Sequence, residues 1–472
     1  MLPAAATPQK IAVLGAGMGG LAAACFLTDA GHAVTLIEAF EAPRPLGSGL
    51  LLQPSGLSVL ACLGLDTALL PHGARISRLY GRAVGGKITL LDVRYAALAP
   101  RLFGLGVTRT ALFETLYTAA QARPIRLITG APVTGATDLD PDGSGGFVET
   151  AAGRFGPFDL IVDASGANSP LRAQVGNVRR DRPYPFGALW GLVNLKDSRF
   201  APDVLDQRYQ AARHMIGVLP VGGNRAALFW SEPTATLGDW PHADLTAWRD
   251  TLRRLWPETE PLAAQITEHG HLTPARYRDV VLKTPIAGRL LFIGDAAHCT
   301  SPQLGQGANL ALLDALVLSL CLSGARPLPE ALAHYARARQ GQQRFYQWAS
   351  RWLTPFFQSN ARLLPWLRYP FCALPCWFPP TQWIGAQVLA GVKTGMFSRI
   401  DPGAWAPAYR LAPRAYRRPQ DSGAPGLALS FSALLAMEAG GESSDGFADS
   451  SGDTGGSGGD AGGGDGGGGG GD

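Results

Sequence analysis

A glycine-rich turn near the start of the chain has the residue types and spacing that bind a dinucleotide phosphate. Residues Lys10 to Leu14 have the apolar pattern of a buried strand, and Gly15-Ala16-Gly17-Met18-Gly19-Gly20 follows, directly before an Ala- and Leu-rich helical segment. In such a turn Gly15 permits the tight bend, Gly17 admits a pyrophosphate, and Gly20 lets the helix pack close to the strand. The helix N-terminus then offers unpaired N–H groups to the anion. The pattern predicts a dinucleotide site; the alternative is a glycine turn that serves only packing.

An acidic residue follows the second predicted strand at the distance that this kind of site requires. The strand Ala33 to Ile37 ends in Glu38, about 20 residues beyond the glycines, where a carboxylate accepts both hydroxyls of an adenosine ribose. A carboxylate at this position also disfavours a 2′-phosphate. Strand, turn, helix and Glu38 together predict a dinucleotide cofactor.

A second glycine-rich segment, far downstream, distinguishes FAD from NAD. An apolar strand at Leu290 to Ile293 precedes Gly294 and Asp295, and the turn Gly305 to Asn309 opens a long Leu- and Ala-rich helix. Asp295 can accept a sugar-like hydroxyl, and the turn presents backbone N–H groups to an electron-rich ring. NAD dehydrogenases need no such segment, whereas FAD must be held at both ends. The sequence therefore predicts FAD.

The string GDAAHCTSPQLGQGANLALLDA, beginning at Gly294, resembles the second FAD motif of the single-component flavoprotein monooxygenases of the para-hydroxybenzoate hydroxylase type, including the ubiquinone-biosynthesis hydroxylases. The resemblance extends along most of the first 340 residues. It implies that Asp295 binds the ribityl chain, that Pro302 lies beside the flavin ring, and that the glycine turn holds the pyrimidine edge through its backbone. The turn residues are Gly305, Gln306, Gly307, Ala308 and Asn309.

The resemblance implies further cofactor contacts outside the two glycine motifs. Arg44 and the turn beginning at Gly47 match the segment that runs past the flavin, and Arg109 matches an arginine near the FAD phosphates or ribityl chain. Val133 occupies the strand position whose backbone meets adenine. For either arginine, an ordinary surface cation is the alternative interpretation.

The middle motif departs from the family pattern. The family has Ala-Asp-Gly before a Ser and an Arg, whereas here Ser165 stands at the Asp position and Asp163 lies two residues earlier. Because that motif is associated with both FAD and NAD(P)H, the change leaves FAD binding expected and the pyridine-nucleotide step open. His298 belongs to the second motif, and we expect it to pack at the flavin edge rather than to transfer protons.

No catalytic residue is assigned, because the cofactor would perform the chemistry. The resemblance implies a monooxygenase in which NADPH or NADH reduces FAD and O2 forms a flavin hydroperoxide that hydroxylates a small aromatic or polyprenylated substrate. Alternatives are a reductase or halogenase of the same fold, and a non-catalytic flavin-bound interaction protein. The aromatic set Trp190, Phe229 and Trp230 either lines the substrate pocket or belongs to the sheet core.

These residues require an α/β fold to position them. We predict a Rossmann-like, three-layer ββα FAD-binding domain at 8–74, 109–181 and 286–340, with an inserted and largely antiparallel substrate domain at 75–108 and 182–285. A helical C-terminal region follows, with an aromatic, Pro-rich cap at 341–418 and a disordered Gly- and Asp-rich tail at 419–472. Its residues 351–396 either cap the active site, which we favour, or lie at a membrane interface where Arg362 and Arg368 would meet lipid phosphates.

Charge and composition limit the partners. The tail holds nine of the 37 acidic residues and no Lys or Arg, so residues 1–418 carry 41 basic against 28 acidic residues, a net charge of +13. A basic body suits anionic cofactors or an anionic membrane surface, and a solvated basic surface is the alternative. No basic cluster interleaved with aromatics predicts nucleic-acid binding. The six scattered cysteines predict neither a metal site nor disulfides, and we expect a cytoplasmic protein, with peripheral contact at the inner face of the membrane left open.

Overall fold

The computed structural model describes residues 4–44, 47–361, 363–368, 376 and 378–399. The residues outside this description include the predicted tail at 419–472 and, within the predicted cap, Arg362 and residues 369–375, 377 and 400–418. The strands in chain order are β1 (Lys10–Leu14), β2 (Ala33–Ile37), β3 (Gly49–Leu52), β4 (Gly73–Ile76), β5 (Arg78–Ala83), β6 (Thr89–Arg94), β7 (Gly104–Thr108), β8 (Arg126–Ile128), β9 (Val133–Thr137), β10 (Gly146–Thr150), β11 (Gly153–Phe158), β12 (Leu160–Asp163), β13 (Val178–Pro183), β14 (Phe186–Asn194), β15 (Val204–Gln210), β16 (His214–Gly222), β17 (Arg225–Pro233), β18 (Thr273–Ala275), β19 (Arg278–Leu282), β20 (Ile286–Ala287) and β21 (Leu290–Phe292).

The helices in chain order are α1 (Met18–Asp29), α2 (Pro54–Cys62), α3 (Asp66–Leu69), α4 (Arg109–Gln121), α5 (Leu171–Gln174), α6 (Leu245–Leu255), α7 (Glu260–Ala263), α8 (Asp295–His298), α9 (Gly307–Leu322), α10 (Leu328–Phe357), α11 (Leu364–Arg368) and α12 (Pro379–Ala390).

A six-stranded sheet with the order β20-β21-β12-β1-β2-β8 forms the centre of the nucleotide-binding part, and all its neighbours are parallel except β20 and β21. Side chains alternate across such a sheet. Ile11 and Val13 of β1 pack on the side of α1, α4 and α9, whereas Ala12 and Leu14 pack on the side of the three-stranded sheet β11-β10-β9. The arrangement is the predicted three-layer ββα fold.

A seven-stranded sheet with the order β18-β14-β17-β16-β15-β5-β6 forms the second part of the molecule. Its neighbours are antiparallel except β15 and β5, which are parallel. The strands come from 78–94 and 186–275, both inside the segments predicted for the substrate domain. The small sheet β3-β7-β4 lies where the two parts meet, because Gly49 of β3 contacts Ala227 and Val221 of the large sheet.

The two faces of the seven-stranded sheet bury different aromatic sets. Trp230 of β17 packs with Trp248 of α6 on one face. The preceding residue, Phe229, packs with Trp190 on the other face, where α10 contributes Phe357. Of the two interpretations given for these aromatics, Trp230 fits the sheet core, because neighbouring residues of a strand point to opposite faces and Trp230 packs away from Trp190 and Phe229.

The C-terminal helices complete the described fold. Helix α9 is buried along nearly all of its length, as its apolar sequence predicts, with Asp314 fully enclosed. Helix α10 packs on α9 and ends two residues after Pro355. No helix in the described part of the chain is long and apolar enough to cross a membrane.

Candidate active site

The first glycine turn joins β1 to α1, and its glycines have distinct surroundings. Gly15 has a φ of +95°, and a Cβ built on it would lie 2.9 Å from the Ala164 carbonyl oxygen. A Cβ on Gly20 would lie in contact with the Gly15 carbonyl oxygen, so both glycines are required by the protein's own packing. Gly17, in contrast, has no protein atom within 4 Å of its Cβ position. The turn is thus an open cradle of the kind that a pyrophosphate fills.

Glu38 lies beside this cradle at the end of β2. Its carboxylate is buried and accepts hydrogen bonds from the backbone N–H of Ala16, at 2.5 Å, and of Phe40, at 3.0 Å. The Glu38 carbonyl accepts from the N–H of Ala131, at 2.9 Å. The half-buried Val133, at the start of β9, follows two residues after this Ala131 contact. Glu38 and Val133 together suit the adenosine end of FAD.

The second motif is folded so that its two halves meet. Asp295 opens α8 with its side chain exposed, and a Cβ on Gly307, at the start of α9, would lie 3.6 Å from the Asp295 Oδ1. Between them, Pro302 begins a short 3-10 turn that ends at Gly305, whose φ is +60°. The exposed carboxylate and the backbone N–H groups that open α9 therefore face one region.

Ala311 of α9 holds the two glycine motifs together. A Cβ on Gly19 would lie 3.2 Å from the Ala311 Cβ, and a Cβ on Gly294 would lie 3.0 Å from it. Met18 and Ala308, at the beginnings of α1 and α9, are both half-buried. One extended ligand can therefore contact the beginnings of both helices.

Two predicted contact residues use their side chains inside the protein. Asn309 accepts a hydrogen bond from the Gln53 N–H, at 2.8 Å, and donates to the Gly305 carbonyl, at 2.9 Å. Gln306 donates to the Leu389 carbonyl, at 2.8 Å. Both side chains fix the glycine turn, so only their backbone is available to a flavin. Gln53 was not predicted, because no local pattern connects it to α9.

The two predicted arginines lie at different places. Arg109 begins α4 and lies across Gly47, where an added Cβ would be 2.9 Å from the Arg109 Cδ. The guanidinium of Arg44 instead stacks over the Phe40 ring, 4.5 Å from its centroid. Arg44 is therefore on the Glu38 side, whereas Arg109 is close enough to Tyr277 for its positive charge to offset part of the rise that burial causes in the pKa of that phenol.

His298 belongs to a buried charge network. Its Nε2 lies 2.6 Å from the Asp314 carboxylate, which also accepts from the Gly294 N–H, at 2.9 Å, and from Arg339 of α10, at 2.8 Å. Burial alone would raise the pKa of Asp314, but the charges of His298 and Arg339 hold it well below its usual range. The network fixes the Gly294 turn. The expected packing of His298 at the flavin edge stays a prediction.

The middle motif is also directed inward. Asp163, at the end of β12, is fully buried and accepts hydrogen bonds from Ser165, at 2.5 Å, and Ser169. Burial raises the pKa of Asp163, and these hydrogen bonds offset only part of that rise. Arg172 donates to the Ala296 carbonyl, at 3.2 Å, and so ties this motif to α8. Asp163 therefore organises the loop. Its carboxylate is directed inward and does not take the place of the Asp that the family has where this chain has Ser165.

An aromatic cluster faces the cofactor-binding part from the seven-stranded sheet. Trp190 packs edge-on against Phe229, with ring centroids 4.8 Å apart, and donates its indole N–H to the Tyr277 hydroxyl, at 2.8 Å. Leu353 and Phe356 of α10 pack against the same cluster. Burial raises the pKa of Tyr277 to about 12, although Trp190 and Arg109 act to lower it. Tyr277 was not predicted, because its position in the sequence carries no recognisable motif.

The end of helix α10 covers this cluster. The favoured cap interpretation stays a prediction. Arg351 pairs with Asp279 of β19 at 2.8 and 2.9 Å, and Thr354 lies 2.6 Å from Ser301, next to the Pro302 turn. The membrane alternative is wrong for Arg368, which is fully buried and donates to the Ala211 and Phe356 carbonyls.

Comparisons with known proteins agree with this geometry. A family model described as FAD binding domain matches residues 9–340. An aurachin C monooxygenase/isomerase from Stigmatella aurantiaca is 30% identical over 340 residues, which cover 71% of this chain and 85% of that protein. A kynurenine 3-monooxygenase from Salinispora tropica is 30% identical over 364 residues, with 70% and 76% covered. A FAD-dependent urate hydroxylase from Klebsiella pneumoniae is 26% identical over 342 residues, with 70% and 86% covered.

Solved structures share the fold. Klebsiella pneumoniae HpxO complexed with FAD and uric acid matches with a TM-score of 0.70 at 22% identity, covering 82% of this chain and 98% of that one. The tetrameric form of 2-methyl-3-hydroxypyridine-5-carboxylic acid oxygenase matches with a TM-score of 0.66 at 23% identity, covering 81% and 96%.

Proposed function

Since the chain belongs to the family of FAD-binding monooxygenases, we propose that it uses NADPH or NADH and O2 to hydroxylate a small aromatic or polyprenylated substrate. FAD is its cofactor, and its activity is that of an FAD-dependent oxidoreductase. We propose the electron donor and the substrate class on the same basis, and we propose a cytoplasmic location.

The observation that carries the proposal is the alignment of the two glycine motifs with the aromatic cluster. The open cradle at Gly17 and the carboxylate of Glu38 suit the pyrophosphate and the adenosine ribose. Asp295 and the backbone at Gly305, on the other side of Ala311, suit the ribityl chain and the flavin ring. An FAD extended along this line would direct its flavin end toward the side where Arg109 and the aromatic cluster lie.

When bound, FAD would supply the redox chemistry and the activation of O2. The protein's own residues would bind the cofactor, orient the substrate and keep water away from both. Asp295 would fix the cofactor, while Trp190, Phe229 and Phe356 would exclude water from the reacting positions.

Tyr277 gives the substrate site its polar group. Its oxygen accepts from Trp190, and in the described part of the chain its own hydroxyl proton has no hydrogen-bond acceptor. Because the pKa of Tyr277 is raised to about 12, the phenol stays protonated at neutral pH and can donate a hydrogen bond. A flat ring that carries an oxygen or nitrogen acceptor suits this arrangement, and two relatives are named for the ring compounds urate and kynurenine.

The proposal is tested by oxygen uptake with purified holoprotein. NADPH and NADH are each supplied with a panel of hydroxybenzoates, quinolones, urate and prenylated phenols. We expect one group of substrates to stimulate both nucleotide oxidation and oxygen uptake. Nucleotide oxidation without oxygen uptake would indicate a reductase instead.

A substitution at Tyr277 tests the assigned substrate site. Tyr277→Phe should lower kcat/KM about tenfold or more, the cost of one lost hydrogen bond to substrate, with FAD content unchanged. Tyr117→Phe, on the half-buried side of α4, is the matched control and should behave as the parent. Equal kinetics for the two variants would remove Tyr277 from the site.

A further inference from the structure

Large apolar side chains are exposed on the C-terminal helices and the segment that follows them. They lie on α10, on or directly before α11 and α12, and within residues 393–399. We call them the C-terminal face: Trp348, Trp352, Leu363, Leu367, Phe378, Trp383, Ile384, Met396 and Phe397. Phe397 is 94% exposed and Trp352 is 50% exposed. Many large apolar side chains exposed on neighbouring elements indicate a site of interaction.

The members of the C-terminal face lie on elements that contact one another. Lys393 and Arg399 form a bridge, so Met396 and Phe397 stand at the tip of a hairpin. This hairpin lies against α10, because a Cβ on Gly341 would be 3.0 Å from the Thr394 carbonyl. Trp383 of α12 lies beneath the Arg399 guanidinium, at 4.5 Å.

The charge of this region selects the kind of partner. Residues 331–400 contain no Asp or Glu and eight Lys or Arg. Among the described ones, Arg339, Arg368 and Lys393 are buried and Arg351 pairs with Asp279, which leaves Arg337, Arg344 and Arg399 exposed. Arg337 and Arg344 are exposed and share one stripe of α10 with Trp348 and Trp352, given spacings of seven, four and four residues. Neither arginine forms an ion pair with a described residue. Exposed Trp side chains beside these cations suit the interface of an anionic bilayer. Trp rings are stable at headgroup depth, and basic side chains are attracted to anionic lipids.

An aromatic ladder connects this surface to the aromatic cluster. Trp348 stacks on Trp352, with centroids 6.2 Å apart, and Trp352 contacts Phe356 at 5.2 Å. Phe356 in turn packs against the cluster that contains Trp190 and Tyr277. Helix α10 therefore exposes Trp348 and Trp352 to solvent on one side and packs against the aromatic cluster on the other.

We propose that the C-terminal face binds the surface of an anionic lipid bilayer. Apolar side chains and basic charge are both present, and stable peripheral attachment requires two such contributions. Entry of a lipophilic substrate along the aromatic ladder rests on the proposed function, whereas bilayer binding does not.

Vesicle flotation of the full-length holoprotein tests this proposal without turnover. We expect the protein to float with phosphatidylcholine vesicles that contain phosphatidylglycerol, and to remain below with phosphatidylcholine alone or at high salt. The double variant Arg344→Glu with Phe397→Asp should lower binding about tenfold or more, because it reverses one charge and removes one inserted ring. Its matched control, Arg126→Glu with Leu127→Asp, makes the same charge change on the exposed edge strand β8 and should bind as the parent.

Several outcomes would overturn the proposal. Failure of the full chain to float with anionic vesicles would do so, as would equal loss of binding in the two double variants. Flotation only after truncation behind Arg418 would show that the acidic tail occupies the face. Light scattering of a dimer that dissociates in the Phe397→Asp variant would assign the face to a second copy. Melting temperature and flavin absorbance confirm that each variant is folded.

Discussion

Gly17 and Gly20 of the first turn separate cofactor binding from folding. Gly17→Val should fold with a melting temperature near that of the parent apoprotein, because no protein atom lies within 4 Å of the added Cβ, yet it should fail to retain FAD. Gly20→Ala should lower the stability of the fold itself, since its Cβ would meet the Gly15 carbonyl. Flavin absorbance and thermal unfolding distinguish the two. Retention of FAD by Gly17→Val would place the pyrophosphate elsewhere.

Asp295 should contribute affinity through its carboxylate. Asp295→Ala removes one charge-assisted hydrogen bond, about 1.5–3 kcal/mol, and should weaken FAD binding about ten- to a hundredfold. Excess FAD should therefore restore the holoprotein form of Asp295→Ala, whereas it should not restore that of Gly17→Val. Titration of apoprotein followed by flavin fluorescence gives both dissociation constants. A dissociation constant equal to the parent's would exclude Asp295 from the site.

The predictability of site residues depends on how local their contacts are. Gly17, Glu38 and Asp295 belong to short motifs in which strand, turn and helix are adjacent in sequence, so their types and spacing identify them. Tyr277 and Gln53 enter the site only because the sheet and α9 bring distant segments together, which no local pattern records. The alternative that placed Arg368 at lipid phosphates was wrong for the same reason: the burial of Arg368 goes with its hydrogen bonds to the distant Ala211 carbonyl and to the Phe356 carbonyl.

At the scale of elements, the carboxylate of Asp314 on α9 links α8 and α10 through His298 and Arg339. Asp314→Ala should lower the free energy of unfolding by about 3–5 kcal/mol at pH 7, because it leaves the buried Arg339 guanidinium and His298 without their partner. Urea unfolding measures this difference. Asp142→Asn, on an exposed loop, should leave stability unchanged.

The same carboxylate predicts a pH dependence. The folded-state pKa of Asp314 lies below its value in the unfolded chain, which is about 3.9, so its stabilisation is present above that pH and is lost as the pH falls below it. The stability difference between the parent and Asp314→Ala should therefore diminish below about pH 4. A difference that stays constant from pH 7 to pH 3 would contradict the assigned ionisation.

Element types were predictable where the hydrophobic period was clear. The strands around Val13 and Leu291, the buried helix α9, and the alternating strands of the large sheet follow from local pattern. The sheet order does not, because it depends on which distant strands pair; β5 lies beside β15, more than a hundred residues later in the chain. The sequence also could not decide between pocket and core for Trp230, because that depends on which face of the strand packs against α6.

For the whole molecule, composition separates the body from its end. Truncation after Arg418 should leave FAD content and melting temperature unchanged, because residues 419–472 are rich in Gly and acidic residues and contain no Lys or Arg. A fall of several degrees would show that the apolar segment Leu427 to Met437 packs on the body. The division into domains is a further prediction that limited proteolysis can test.

The central claim is that the protein inserts oxygen into an organic substrate. The most direct measurement is mass spectrometry of the product formed under 18O2 with FAD-loaded protein, NAD(P)H and the substrate that stimulates oxygen uptake most. We predict one 18O atom in the hydroxylated product, with its yield matching the nucleotide oxidised. Oxygen recovered entirely as hydrogen peroxide, or a product whose new oxygen comes from water, would contradict a monooxygenase.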